Sequence, residues 1–104
     1  MRKAKVYVKG IQAGTLTEII KSKEYLFEYL NSYNGPEVSR TLPITHSEYR
    51  FDSFPSFFEG LLPEGTQLEG LLKIEKIDRY DYFSQLMSVG GDMVGAVTVI
   101  EMAE

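Results

Sequence analysis

A chain of 104 residues is the size of one domain, and 43% hydrophobic with 25% charged residues is the balance of a folded globule, not of a disordered segment. With no cysteine it offers neither a disulfide framework nor a thiolate metal site, and no apolar run is long enough to span a bilayer. A formal charge of −4 and a pI of about 5.0 argue against direct nucleic-acid binding, which needs a basic face to neutralise phosphates, and leave contact with a basic protein partner open.

Met1-Arg-Lys-Ala-Lys5 is basic, but a strand pattern follows it in place of a signal-peptide core, so a soluble, cytoplasmic protein is expected. Lys5-Val-Tyr-Val-Lys9 alternates with the period of a strand. Gly10 to Gly14 reads as a glycine-bounded turn, and Thr15-Leu-Thr-Glu-Ile-Ile20 as a second strand hairpinned to the first. Glu24-Tyr-Leu-Phe-Glu-Tyr29 reads as a third, with Tyr25, Phe27 and Tyr29 on one face; its aromatic content favours a strand, while periodicity alone leaves a helix open. Asn31 to Pro36 is a loop. Ser39 to Thr45 resumes an extended path that Pro43 confines to a sheet edge or a strand end, and His46 to Arg50 reads as a polar connection.

The most apolar and sharply bounded stretch runs from Phe51 to Gly65. Phe54, Phe57, Phe58, Leu61 and Leu62 recur at helical spacing, Ser53 can act as N-cap, and Pro55 suits a first turn. Pro63 ends the pattern and Gly65 permits a tight turn, so a short helix is expected to run into a rigid elbow at Leu62-Pro63-Glu64-Gly65 and to form the centre on which the fold packs. Thr66 to Glu75 reads as a second helix with a stripe of Leu68, Leu71 and Leu72 and a Thr66/Glu69 capping box. A third is expected from about Arg79 to Val89, capped by Asp78, with Tyr82, Phe83, Leu86 and Met87 on its apolar face and Gly90-Gly-Asp92 as a left-handed close. Val94 to Ile100 reads as a buried final strand, and Glu101 to Glu104 as tail. The expected architecture is a single α+β domain over residues 1–104: an antiparallel, twisted or barrel-like sheet with three short helices.

Searches for chemistry are mostly negative. His46 is the only histidine, so no Ser–His–Asp or Cys–His arrangement can be assembled around it. Dinucleotide, phosphate-loop and protein-kinase signatures are absent. Asp78 and Asp81 suit helix capping better than a metal pair, and Glu64 and Glu69 a solvated face better than acid–base work. Gly90-Gly-Asp92 suits a helix end better than a phosphate cradle. The seven tyrosines fit either an interface or a half-buried sheet.

Phe57-Phe-Glu-Gly-Leu-Leu-Pro-Glu-Gly65, Tyr82-Phe-Ser-Gln-Leu-Met and Gly90-Gly-Asp-Met-Val-Gly-Ala-Val-Thr-Val99, together with Ala13-Gly-Thr-Leu16 and Thr41-Leu-Pro43, resemble the N-terminal subdomain of HipA-type serine/threonine kinases. The similarity runs from about Val6 to Ile100, and its paired motifs, F-F-x-x-L-L-P and G-x-x-x-V-G-A-V, are specific in order and spacing. No residue here matches that family's catalytic positions. The resemblance therefore implies a non-catalytic chain with no cofactor of its own. Met1 and an end after the last strand suit a free-standing protein like the HipS-type antitoxin subunit of HipBST toxin–antitoxin systems. Such a subunit would bind and inhibit a HipA-like (HipT) kinase toxin, with a HipB-like DNA-binding protein in a ternary complex. The alternative is the structural N-terminal subdomain of a HipA kinase, supporting activity instead of restraining it. The residues expected to reach the kinase are Leu62, Pro63, Glu64, Gly65, Thr66, Gln67 and Leu68, because Pro63 and Gly65 stiffen a loop projecting from an anchored helix.

Overall fold

The computed structural model describes residues 1–92 and 95–103. Five strands, β1 (Arg2–Val8), β2 (Ile11–Ile20), β3 (Glu24–Tyr29), β4 (Glu48–Phe51) and β5 (Val97–Glu101), form one sheet in the order β4-β3-β2-β1-β5, every pair antiparallel. The sheet is open and twisted, so of the two forms expected it is not the barrel. Three helices, α1 (Ser56–Glu59), α2 (Gly65–Glu75) and α3 (Tyr82–Val89), precede β5, and a 3-10 turn at Gly90–Asp92 links α3 toward it.

The first hairpin turns on two residues, Lys9 and Gly10, both at positive φ (50° and 81°), the geometry whose twist matches the flanking strands. The longer turn expected from Gly10 to Gly14 is thus corrected: Ile11 to Gly14 already belong to β2. Gly14 serves close approach and not a turn, since a Cβ there would lie 2.2 Å from the Glu28 carbonyl oxygen of β3. β3 has the bounds expected, and Tyr25, Phe27 and Tyr29 are all buried on one face.

β4 occupies the stretch expected to be a polar connection. Its charges, Glu48 and Arg50, alternate with Tyr49 and Phe51, which pair with Phe27 and Tyr25 and extend the aromatic face. The neighbouring segment expected to be extended, Ser39 to Thr45, makes only a single bridge, Ser39 to Leu42. It is held by side chains: the Tyr29 hydroxyl accepts from the Val38 N–H and donates to the Leu42 carbonyl, and the Tyr49 hydroxyl donates to the Pro43 carbonyl.

The core lies between one sheet face and the helices. Ala4, Val6, Leu16, Phe27 and Val99 meet Phe58, Phe83 and Leu86, all fully buried. α1 is one supplier of this core and not its centre. It is a single turn with Pro55 as its N-cap residue and no side-chain cap, so Ser53 does not cap it. Pro55 holds ψ at 130°, and chain reversal begins at Gly60, so helical geometry never reaches Pro63. Phe54 and Phe58 are buried, while Phe57, Leu61 and Leu62 pack only partly.

α3 begins three residues later than expected because Asp81, not Asp78, is its cap: the Asp81 carboxylate accepts from the Ser84 N–H. Asp78 accepts from the Tyr80 N–H in a turn of its own. Gly90 ends α3 in right-handed geometry (φ −61°), against the left-handed close expected. Glycine is needed there because a Cβ would stand 2.3 Å from the Val99 carbonyl oxygen. β5 begins at Val97 and includes Glu101. The strand start expected at Val94 and the tail end at Glu104 lie outside the described residues. Of β5 only Val99 is buried, as befits an edge strand.

Candidate functional site

The residues singled out from the sequence, Leu62 to Leu68, form the entry to α2. Leu62, Pro63 and Leu68 are half-buried, and Glu64, Gly65, Thr66 and Gln67 are exposed. Glu64 is the N-cap residue in extended geometry, and Gly65 takes φ +61°, a left-handed turn that admits glycine without strain. The Thr66/Glu69 capping box does not form: no side chain caps α2, and the Glu69 Oε1 instead accepts from the Arg79 Nη2 at 2.5 Å. The elbow is therefore fixed by backbone geometry and by its anchor in Leu61 and Leu62, which pack against the core.

α2 itself carries no buried residue. Leu68, Leu71 and Leu72 are half-buried, α2 touches α3, and Ile74 is 79% exposed. Tyr80, just beyond the helix, is 71% exposed. Tyr80 is one of the tyrosines for which an interface was one of two readings, whereas sequence reasoning missed Ile74. Ile74 departs from the 68/71/72 stripe, and that departure was the available signal.

A charged network ties the sheet to α3. Arg2 on β1 donates from Nε to the Glu18 Oε1 at 2.8 Å, from Nη1 to the Ser84 Oγ at 2.6 Å and from Nη2 to the Asp81 Oδ1 at 2.9 Å. Its guanidinium also lies 4.9 Å from the centre of the Phe83 ring. Glu18 is 3% exposed and accepts in addition from the Tyr25 hydroxyl and the Ser22 N–H. Burial pushes the Asp81 carboxyl up, but hydrogen bonds from Ser84 and Arg2 outweigh it and hold the group below its ordinary range. Burial raises the Tyr25 hydroxyl well above its ordinary value, and the charge of Glu18 raises it further. Every member has a partner, so the network is a structural clamp with no free acid or base. No sequence pattern announced it, because its members lie up to 82 residues apart.

The remaining candidates are not brought together. Asp81 is engaged by Arg2 and Ser84, and Asp78 faces its own turn. His46 stacks edge-on against Tyr49, 6.0 Å between ring centres. Among the described residues no three His, Asp or Glu side chains gather as a metal site requires, and no helix is long and apolar enough to cross a membrane. Of the tyrosines, Tyr25 and Tyr29 are core, Tyr80 is exposed and the other four are half-buried.

Comparison with known proteins gives this geometry a context. A solved structure described as the N-terminal domain of HipA toxin superposes with a TM-score of 0.78 at 29% identity, covering all of this chain and 95% of that one. An uncharacterised protein of Haemophilus influenzae is 32% identical over 101 residues, 97% of this chain and 93% of the relative. The family description of the HipA N-terminal domain matches residues 4–100, from within β1 to within β5. The chain belongs to the HipA N-terminal domain family.

Proposed function

We propose that this protein is a non-catalytic regulatory subunit, an antitoxin, that binds and inhibits a HipA-like serine/threonine kinase. The observation that carries this is family membership in a domain that a solved structure describes as part of a toxin. The exposed arm adds the means: an elbow stiffened by Pro63 and Gly65 presents Glu64, Thr66, Gln67 and Leu68 at a fixed position beside a helix that the domain does not bury. A stiff loop loses little ordering entropy on docking, and Glu64 can meet basic residues lining a nucleotide or substrate cleft. The subunit needs no cofactor, and a HipB-like DNA-binding protein would join through the kinase, in keeping with the acidic charge of this chain.

A second reading keeps the partner and reverses the sign. The likeness to a toxin's own N-terminal domain favours a structural subdomain that the kinase needs for activity. One assay separates them: the kinase core is titrated with this protein while phosphorylation is followed. A fall identifies an inhibitor, and a rise a supporting subdomain. Replacing Glu64, Gln67 and Leu68 together with alanine should then weaken both binding and the effect on phosphorylation, with the fold intact by circular dichroism. Unchanged binding and neutralisation would remove the elbow from the mechanism. ATP turnover by the purified chain that survives repurification would refute a non-catalytic role.

A further inference from the structure

The helices and the 31–47 loop cover one face of the sheet; on the other, Lys3, Glu28, Glu48, Arg50 and Ile100 are exposed, Lys5, Thr15 and Leu26 are half-buried, and Thr17 is closed over by its neighbours. The registers place the side chains of this second face in rows. One row crosses the strands as Glu48, Glu28, Thr15, Lys5 and Ile100, and the next as Arg50, Leu26, Thr17 and Lys3. In the first row negative charge therefore sits on Glu28 of β3 and positive charge on Lys5 of β1, at the same height along the strands, while on β4 Glu48 pairs with Arg50 of the next row at 4.0 Å. Lys5 and Glu28 are two strands apart, roughly 10 Å, too far to pair within one chain. Among the described residues neither has an ion-pair partner of its own.

We infer that this open face binds a second copy of the same chain about a two-fold axis running along β2. Such an axis carries the position of β1 onto that of β3 at unchanged height. Lys5 then faces Glu28 of the second copy, Glu28 faces its Lys5, and Thr15 faces Thr15, the reciprocal contacts of a two-fold interface. Lys3 lies over Leu26, whose apolar surface its aliphatic stem covers. Glu48 comes over Ile100, so no like charges meet. An axis across the strands would instead set Lys5 on Lys5 and Glu28 on Glu28. Charge alone thus selects one of the two arrangements, and two twisted sheets packed face to face stay within about 30° of alignment, which preserves it. The face is only about 20 Å across, below the area of a tight interface, so the dimer is weak and sensitive to salt.

Sedimentation equilibrium of the purified protein, at rising concentration in low and high salt, tests this. The wild type should dimerise reversibly in low salt and dissociate in high salt. Lys5→Glu and Glu28→Lys should each weaken association by about tenfold or more, because each places two like-charged pairs in the interface. The double variant Lys5→Glu/Glu28→Lys should recover it, and Lys73→Glu on α2 should leave it unchanged. A wild type monomeric at every concentration, single reversals without effect, or a double variant as weak as the singles would each overturn the proposal. Loss of kinase binding by the single variants, with the chain monomeric throughout, would assign the face to the kinase and overturn it too.

Discussion

Phe58, Phe83 and Leu86 are fully buried against the sheet, whereas the leucines of α2, no less apolar, are only half-covered and Ile74 stands almost free. The two regions also treat glycine differently. At Gly14 and Gly90 there is no room for a methyl group, while at Gly70 in α2 nothing lies within 4 Å of where a Cβ would sit. The sheet with α1 and α3 is packed to van der Waals limits and clamped by Arg2; the elbow and α2 are attached to it at one side. The first region holds the fold, and the second stays largely exposed beside it.

The sharpest way to break this contrast is in the core. Phe58→Ala should cost about 3–5 kcal/mol in urea denaturation. Phe57→Ala, half-buried beside it, should cost clearly less, and equal midpoints for both would erase the distinction between the two faces of α1. Next in size is the clamp: Arg2→Ala leaves the Glu18 carboxylate buried without its cation and should cost about 3 kcal/mol. Gly90→Ala forces a Cβ into the Val99 backbone and should destabilise by about 1–3 kcal/mol. Gly70→Ala should do the reverse, raising stability by about 0.5–1 kcal/mol, since it adds helix propensity in open space. If Gly70→Ala destabilises, α2 is packed more tightly than its exposure indicates.

The smallest effects are those of pH. The carboxyl of Asp81 is held below its ordinary range, so its contribution is complete above about pH 4 and is lost as pH falls through the lowered value. The Tyr25 hydroxyl is raised by burial, so its contribution is complete below about pH 10 and is lost as pH rises past its raised value. Denaturation midpoints should be flat between these limits, and Asp81→Asn should flatten the acid limb.

Local pattern was enough for much of this. Period-two alternation located β1, the glycine-bounded turn after it pointed to β2, aromatic content located β3 with its bounds, and the leucine and aromatic stripes located α2 and α3. The motifs around Phe57, Tyr82 and Gly90 disclosed the family. Where local signals compete, the sequence did not choose. Asp78 and Asp81 are equally good caps, and Arg2 on a distant strand, together with Ser84, settled on Asp81. Thr66 and Glu69 spell a capping box, but Arg79 takes the glutamate.

What the sequence by itself determined is the α+β composition, the strand and helix periods and the family, because each rests on residues near one another in the chain or on ordered motifs. Only the tertiary structure decided that the sheet stays open, that Glu48–Phe51 forms its edge, that Glu18 is buried and neutralised, and that α2 remains uncovered. These depend on which surfaces meet across the chain. A strand such as β4 is defined by the partner that accepts its hydrogen bonds, and a buried charge by the distant side chain that compensates it.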